Sequence, residues 1–230
     1  MDGPNRARER QPRPRPQARR EAPRRQRTDQ QVLELGSSGA RVARLQRELV
    51  DLGYWLGPVD GTFSDLTQQA VFALQGIEGI TRDGDVGPQT RAALRRASRP
   101  RPRSTRGALI EVDEGRQVLF VVRDGRVKWT LHVSTGSNET YRRRDGGTAL
   151  ANTPNGRWKM IYEYRKGWHK SPLGRLWRPK YFHPSGIAIH GFSSVPPYPA
   201  SHGCVRVTIP AMNFIWREHL APKGSRVWVY

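Results

Sequence analysis

ALIEVDEGRQVLFVVRDGRVKWTLHVS, residues 108–134, decides the architecture of the larger part of the chain. Two short apolar runs, ALIEVD and QVLFVV, lead into RVKWTLHVS, where apolar and polar residues alternate with the period of a strand. Asp124-Gly125, between the second and third runs, is a tight-turn pair. Working outward, RWKMIYEY (157–164), GIAIHGF (186–192) and SRVWVY (225–230) continue the strand-like reading, and IPAMNFIWREHL (209–220) is the one convincing helix. Residues 108–230 therefore read as a mainly β domain, antiparallel, of sandwich or barrel type.

Upstream the period changes. GSSGARVARLQRELVDLGY (36–54) sets Val42, Leu45, Leu49 and Leu52 on one helical face, with Ser37 or Ser38 near its start. A repeat follows: DGTFSDLTQQAV from Asp60 returns as DGDVGPQTRAAL from Asp83, a shift of 23. In each copy Asp-Gly makes a turn, Phe63 or Val86 enters the core, and Ser64-Asp65 or Gly87-Pro88 opens a helix. Ala70, Val71 and Leu74 form one apolar face, Ala93 and Leu94 the other. Residues 32–97 are expected to be a small three-helix domain, so the chain is multidomain, α and β.

Residues 1–31 are Arg- and Pro-rich with few large apolar side chains, and are expected to be a disordered tail. SRPRPRSTRG, residues 98–107, shares that composition and is expected to be a stiff linker. Of the net charge of +20, the tail carries +6, the linker +4 and residues 108–230 +11, while 32–97 carry −1. Such a balance suits anionic partners: nucleic acid, anionic lipid or anionic wall polymer. A nucleic-acid binder usually concentrates its charge on a folded face, whereas the helical segment is slightly acidic. No apolar run reaches the roughly 18 residues of a membrane span. Met1 is not followed by the apolar stretch of a signal peptide, so an export signal is not visible in this sequence.

The chain keeps one cysteine, Cys204, within PASHGCVRV (199–207), which excludes an internal disulfide. A thiol attacks as the thiolate, and a histidine is the usual partner that lowers its pKa and later protonates a leaving amine. His190 ends the apolar strand GIAIH and suits a general base. His202 sits inside Ser-His-Gly-Cys and suits an orienting role. Gly203 permits a turn in which amides converge on an oxyanion. Arg206, two residues past the thiol, faces the same way in an extended segment and could pair with a substrate carboxylate.

These residues carry a resemblance. His190, a spacer, then Ser201, His202, Gly203, Cys204, Val205 and Arg206 resemble the signature of the L,D-transpeptidase catalytic domain of the YkuD type. HVSTG (132–136) and TPNGRW (153–158) are similar to further segments of that family, in the same order. LxLGSSGxxVxxLQxxLxxLGY (33–54), DGxF and DGxVGxxT resemble a peptidoglycan-binding domain.

The resemblance implies that Cys204 attacks the carbonyl after the third residue of a peptidoglycan stem peptide and expels the terminal D-alanine. The acyl group then passes to a second stem's amine, giving a 3→3 cross-link, or to water. It implies His190 as acid and base, the Gly191 carbonyl orienting His190 where some relatives have serine, backbone donors near Gly203, and no cofactor. Peptidoglycan would be the partner and the location extracytoplasmic, with the tail free to touch wall polymer or lipid. The protein is expected to be a monomer. Ser201, Arg206, Tyr181 and Trp177 are expected to contact substrate, the last two from a long basic segment, GWHKSPLGRLWRPKYFHPSG (167–186), read as a loop covering the cleft.

Three other readings stand beside this one. Zinc could take His190, His202 and Cys204, but a second cysteine and an HExxH motif are lacking. The chain could be a wall-binding protein without activity, or a nucleic-acid binder driven by its charge. His132, His169, His183 and His219 are expected to be structural or exposed.

Overall fold

The alternation over 108–134 forms three strands, β1 (Ala108–Asp113), β2 (Val118–Arg123) and β3 (Arg126–His132), in an antiparallel meander. They belong to a computed structural model that describes residues 31–230 apart from residues 144 and 173. The tail expected over 1–31 therefore lies, except for Gln31, outside the described residues.

Two five-stranded sheets and a small hairpin make up the β region. In the first sheet the order is β3-β2-β1-β12-β6, with β6 (Gly156–Lys159) and β12 (Arg226–Val229). The second runs β11-β10-β9-β7, and β8 also pairs with β9. Its members are β7 (Tyr162–Glu163), β8 (Trp168–Ser171), β9 (Gly174–Tyr181), β10 (Ala188–Phe192) and β11 (Val205–Thr208). β4 (Thr140–Arg142) pairs with β5 (Thr148–Leu150). The expectation of antiparallel pairing holds except at β1–β12 and β10–β11, which are parallel. Parallel neighbours need a crossover of about a dozen residues. The β10–β11 crossover is the segment that holds Ser201, His202, Gly203 and Cys204.

Between the sheets lies one apolar core, with Ile110, Val112, Leu119, Phe182, Ile189, Val207 and Val227 capped by the helix α4 (Ile209–Arg217). A second core lies on the other face of the first sheet. Leu109, Val118, Phe120, Val122 and Val127 pack there against Val42, Leu49, Phe63, Val71 and Leu74 of the helical segment. The continuous apolar run VLFVV of β2 is thereby explained, since a strand covered on both faces has no solvent side to make polar.

The helical segment consists of α1 (Ala40–Asp51), α2 (Asp65–Glu78) and α3 (Pro88–Arg96). Its repeat is organised around two buried glutamines that the sequence reading passed over. Gln46 Nε2 donates to Asp60 Oδ1, the Thr62 carbonyl and Thr67 Oγ1, while its Oε1 accepts from the Gly61 amide. Gln75 repeats the set with Asp83, Asp85, Thr90 and Gly84. Each amide group is satisfied on both sides, which is what makes burial of a polar side chain tolerable.

The segment is fastened to the β region as well as packed on it. Backbone bonds Trp55 N to Thr130 O (3.0 Å) and Thr130 N to Gly53 O (2.7 Å) occupy the outer edge of β3, which would otherwise present free strand groups. Residues 98–107, expected as a stiff linker, lie against the first sheet. The amides of Arg103 and Ser104 donate to the fully buried carboxylate of Glu111, and Arg103 stacks on Tyr230 at 3.4 Å.

Candidate active site

His190 sits on β10, and Cys204 immediately precedes β11, the strand that runs parallel to it. His190 pairs with Arg206, which places Cys204 just before β11, beside Ala188 and at the end of the crossover. Both residues line one cleft of about 1060 Å³, together with Arg206, Tyr181 and His202. The β4–β5 hairpin contributes Ala149 and Leu150 to its lining, and the β8–β9 hairpin contributes Lys170 and Arg175.

The segment expected as a covering loop, 167–186, thus contains β8 and β9, and β9 is a central strand of the second sheet. Its basic residues and Pro179 hid that strand. Proline has no donor for the ladder, and here it stands in a bulge: β9 pairs Lys180 with Ile189 and Trp177 with Gly191, leaving Arg178 and Pro179 opposite His190. Arg178 has φ 48°, uncommon for a side chain that is not glycine. It is pinned there by Asn213 Oδ1 (2.8 Å), by the Arg165 carbonyl and by Trp216 Nε1, which donates to its own carbonyl. Bulges of this kind re-aim side chains across the ladder.

The ring of His190 is buried, and its Nδ1 lies 3.0 Å from the Gly191 carbonyl. A carbonyl only accepts, so Nδ1 carries the proton and Nε2 has a free lone pair. Burial pulls the His190 pKa down to about 4, helped by the charge of Arg206 and opposed by the Gly191 bond. Burial also pushes the Cys204 thiol up, against the pull of the Ala188 backbone and Arg206. Imidazole and thiol therefore rest neutral at physiological pH, whereas the sequence reading expected an imidazolium beside a thiolate.

Gly191 is packed as tightly as it is bonded. A Cβ there would lie 2.9 Å from Trp177 Cδ1 and 3.1 Å from Met212 Cβ, so the glycine at this position answers to the packing of Trp177. Trp177 itself lies beneath the strand, donating to Asn213 Oδ1 at 2.9 Å, and is not among the cleft-lining residues. The expectation that it forms the substrate wall is corrected on that ground.

Gly203 has φ 125°, and a Cβ there would meet the Asn152 carbonyl at 2.6 Å. Its own amide donates to Ser201 Oγ at 3.0 Å, and Ser201 Oγ donates to the Cys204 carbonyl at 2.6 Å. The Gly203 amide is therefore committed inside the loop instead of pointing at an oxyanion. Ser201, 2 % exposed, is a brace across the turn, although it also touches the cleft. His202 is exposed at the rim with its ring edge-on to Tyr141, and the group that orients His190 is the Gly191 carbonyl.

Arg206 does face the cleft, its guanidinium held by the Ala200 carbonyl (3.1 Å) and lying 4.5 Å from the Phe192 ring centre. Tyr181 lines the cleft as well. Its hydroxyl bonds His169 Nδ1 at 3.0 Å, and burial, with the nearby Cys204 and Tyr162, raises its pKa to about 12.

VSTG and TPNG acquire a physical role as the cradle of this loop. The Thr135 carbonyl accepts from the amides of Ala200 and Ser201, Ser134 Oγ donates to the Tyr198 carbonyl, and Thr153 Oγ1 donates to the Gly203 carbonyl. Among the described residues no group of three or more His, Cys, Asp or Glu is placed to hold a metal ion.

Both parts of the chain are similar to known proteins. Residues 107–229 match the YkuD family model, described as an L,D-transpeptidase catalytic domain, and residues 38–94 match a putative peptidoglycan binding domain. The crystal structure of an L,D-transpeptidase from Xylanimonas cellulosilytica is similar over 87 % of this chain and 98 % of that one, with 48 % identity and a TM-score of 0.83. The N-acetylmuramoyl-L-alanine amidase CwlL of Bacillus licheniformis is 43 % identical over 65 residues, 27 % of this chain and 18 % of the amidase. The amidase CwlM of Mycobacterium tuberculosis is 43 % identical over 56 residues, 24 % of this chain and 14 % of CwlM. The chain thus spans under a fifth of the length of these curated relatives. With a catalytic histidine candidate on β10, a cysteine candidate immediately before β11 and a helical module fixed beside them, the chain belongs to the YkuD family of L,D-transpeptidase catalytic domains, preceded by a peptidoglycan-binding domain.

Proposed function

We propose that this cell-wall enzyme is a cysteine-dependent L,D-transpeptidase acting on peptidoglycan stem peptides outside the cytoplasm. The observation that carries the reading is the His190 ring, fixed through Nδ1 to the Gly191 carbonyl so that the unprotonated Nε2 serves the cleft it shares with Cys204. A neutral imidazole that lines the same cleft as a neutral thiol is a base waiting for an acid. As the thiol attacks the carbonyl after the third stem residue, Nε2 takes its proton and the S–C bond forms. The tetrahedral oxyanion needs a donor, and with the Gly203 amide committed to Ser201 we assign the Cys204 amide to it. Collapse breaks the C–N bond, the imidazolium protonates the departing D-alanine amine, and a thioester remains on Cys204.

In the second half an amine of another stem attacks the thioester, giving its proton to Nε2, and the C–S bond breaks. The thiolate recovers that proton, and a 3→3 cross-link is released. Water in place of the amine gives a carboxypeptidase, the second reading. Arg206 supplies the positive charge for a stem carboxylate.

Incubation with a soluble stem tetrapeptide should give an acyl adduct on Cys204 in intact-mass spectra and then cross-linked dimer. Cys204→Ala should abolish both while melting like the wild type; turnover in that variant ends the proposal. Cys204→Ser should be nearly inactive, because a hydroxyl is far harder to ionise.

A further inference from the structure

The crossover from β10 to β11 reads SSVPPYPASHGC, residues 193–204. Pro196, Pro197 and Pro199 have no N–H and a fixed φ, so this stretch is stiff and is tied down mainly by what its carbonyls accept. The carbonyls of Ser201, Gly203 and Cys204 are tied beside the thiol, and four more are tied between Val195 and Ala200. Ser134 Oγ and the Arg206 guanidinium hold those of Tyr198 and Ala200 from within the β region. The Val195 carbonyl instead accepts from Gln69 Nε2 of α2, at 3.0 Å. The Pro196 carbonyl is 2.9 Å from His132 Nε2, and the His132 ring packs against Phe72 of α2 at 5.3 Å. The helical segment thus reaches the root of the loop that ends in the nucleophile.

Gln69 makes this bond at a cost. Its Oε1 is buried with no hydrogen-bond partner, an arrangement that costs stability and calls for a local reason. A side chain placed for stability alone would satisfy both ends of its amide, as Gln46 and Gln75 do on the same module.

We propose that Gln69 is a positioning residue for Cys204, and that turnover depends on the helical module because the module holds the nucleophile loop, separately from any attachment to the wall. Release of the Val195 carbonyl lets a stiff segment pivot, and a displacement of about 1 Å between reacting groups costs up to about a hundredfold in rate. The turnover arm of the test rests on the proposed activity, so a second arm uses iodoacetamide, which reports on the thiol whatever the substrate.

The variants are Gln69→Ala and Gln69→Leu in the full chain, the second keeping the volume. The control is Arg99→Ala, which removes bonds to the carbonyls of Asp51, Val127 and Lys128 at a part of the same interface remote in sequence from the loop. On soluble tetrapeptide, each Gln69 variant should lose about ten- to a hundredfold in kcat with little change in KM. Alkylation of Cys204 should become faster near neutral pH, its pH midpoint moving down toward that of a free thiol as burial relaxes. Arg99→Ala should leave both unchanged. Wild-type alkylation kinetics in folded Gln69→Leu, or equal effects in Arg99→Ala, overturn the inference. Absence of turnover in the wild type with a changed alkylation profile in Gln69→Leu would refute the proposed substrate and leave this inference standing.

Discussion

Asn213→Ala should show how firmly the bulge opposite His190 is held. Asn213 Oδ1 accepts from Trp177 Nε1 at 2.9 Å and from Arg178 at 2.8 Å. Alanine leaves the part-buried indole N–H without its acceptor, a loss of about 1–3 kcal/mol. The guanidinium of Arg178 reaches water and loses about 0.5–1 kcal/mol. Together these give about 1.5–4 kcal/mol, or a fall in Tm of about 3–16 °C for a folded unit of this size. Arg178 then has less to hold it at φ 48°, and the ring of His190 loses the ladder that aims it. Thermal melting followed by circular dichroism measures the first effect, and kcat on tetrapeptide the second, which should drop about tenfold or more. Asn213→Asp keeps an acceptor for both donors and adds charge beside Arg178, so it should melt at or above the wild type. If the aspartate variant falls as far as the alanine one, the acceptor is not what matters and the reasoning fails.

Gly191→Ser should cost stability and activity despite being conservative in size, because its Cβ would press on Trp177 and Met212; pairing it with Trp177→Leu should recover part of the loss, and no recovery would exclude Trp177 as the obstacle. Two buried histidines set the acid limit. His132 and His190 are both held down to about 4, so the unfolded chain, at about 6.5, takes up protons first. Their contribution is complete above pH 6.5 and is lost as pH falls toward 4, at about 1.4 kcal/mol per unit for each histidine. Urea titrations across that window should give the slope, and a flat profile would show that neither ring stays neutral. The acid limb of kcat/KM should likewise lie well below pH 6.5, nearer pH 4.

What could be read from the sequence was what local chemistry dictates. Asp60-Gly61 and Asp83-Gly84 announced their turns, and the His190 to Arg206 spacing announced the site, because both depend on residues close together in the chain. The glutamines of the repeat were passed over because Gln46 and Gln75 stand in different helices, where a polar residue at helical spacing looks like a solvated face until its partners fold over it. β9 was hidden by Arg175, Arg178, Lys180 and Pro179, which argue for a loop; tertiary ties supplied what the ladder lost. Lys180 is buried against Glu163 and the Trp216 ring, contacts that no local pattern encodes. Gln69 escaped for the same reason, since its partner is 126 residues away.

β12 lies between β1 and β6 and comes from residues 226–229. β1 and β6 therefore gain their shared neighbour only when a segment more than a hundred residues beyond β1 folds back between them, bringing Tyr230 to Glu111. Closing the first sheet is thus a pairing between segments far apart in sequence, which costs loop entropy and forms more slowly than pairing between chain neighbours.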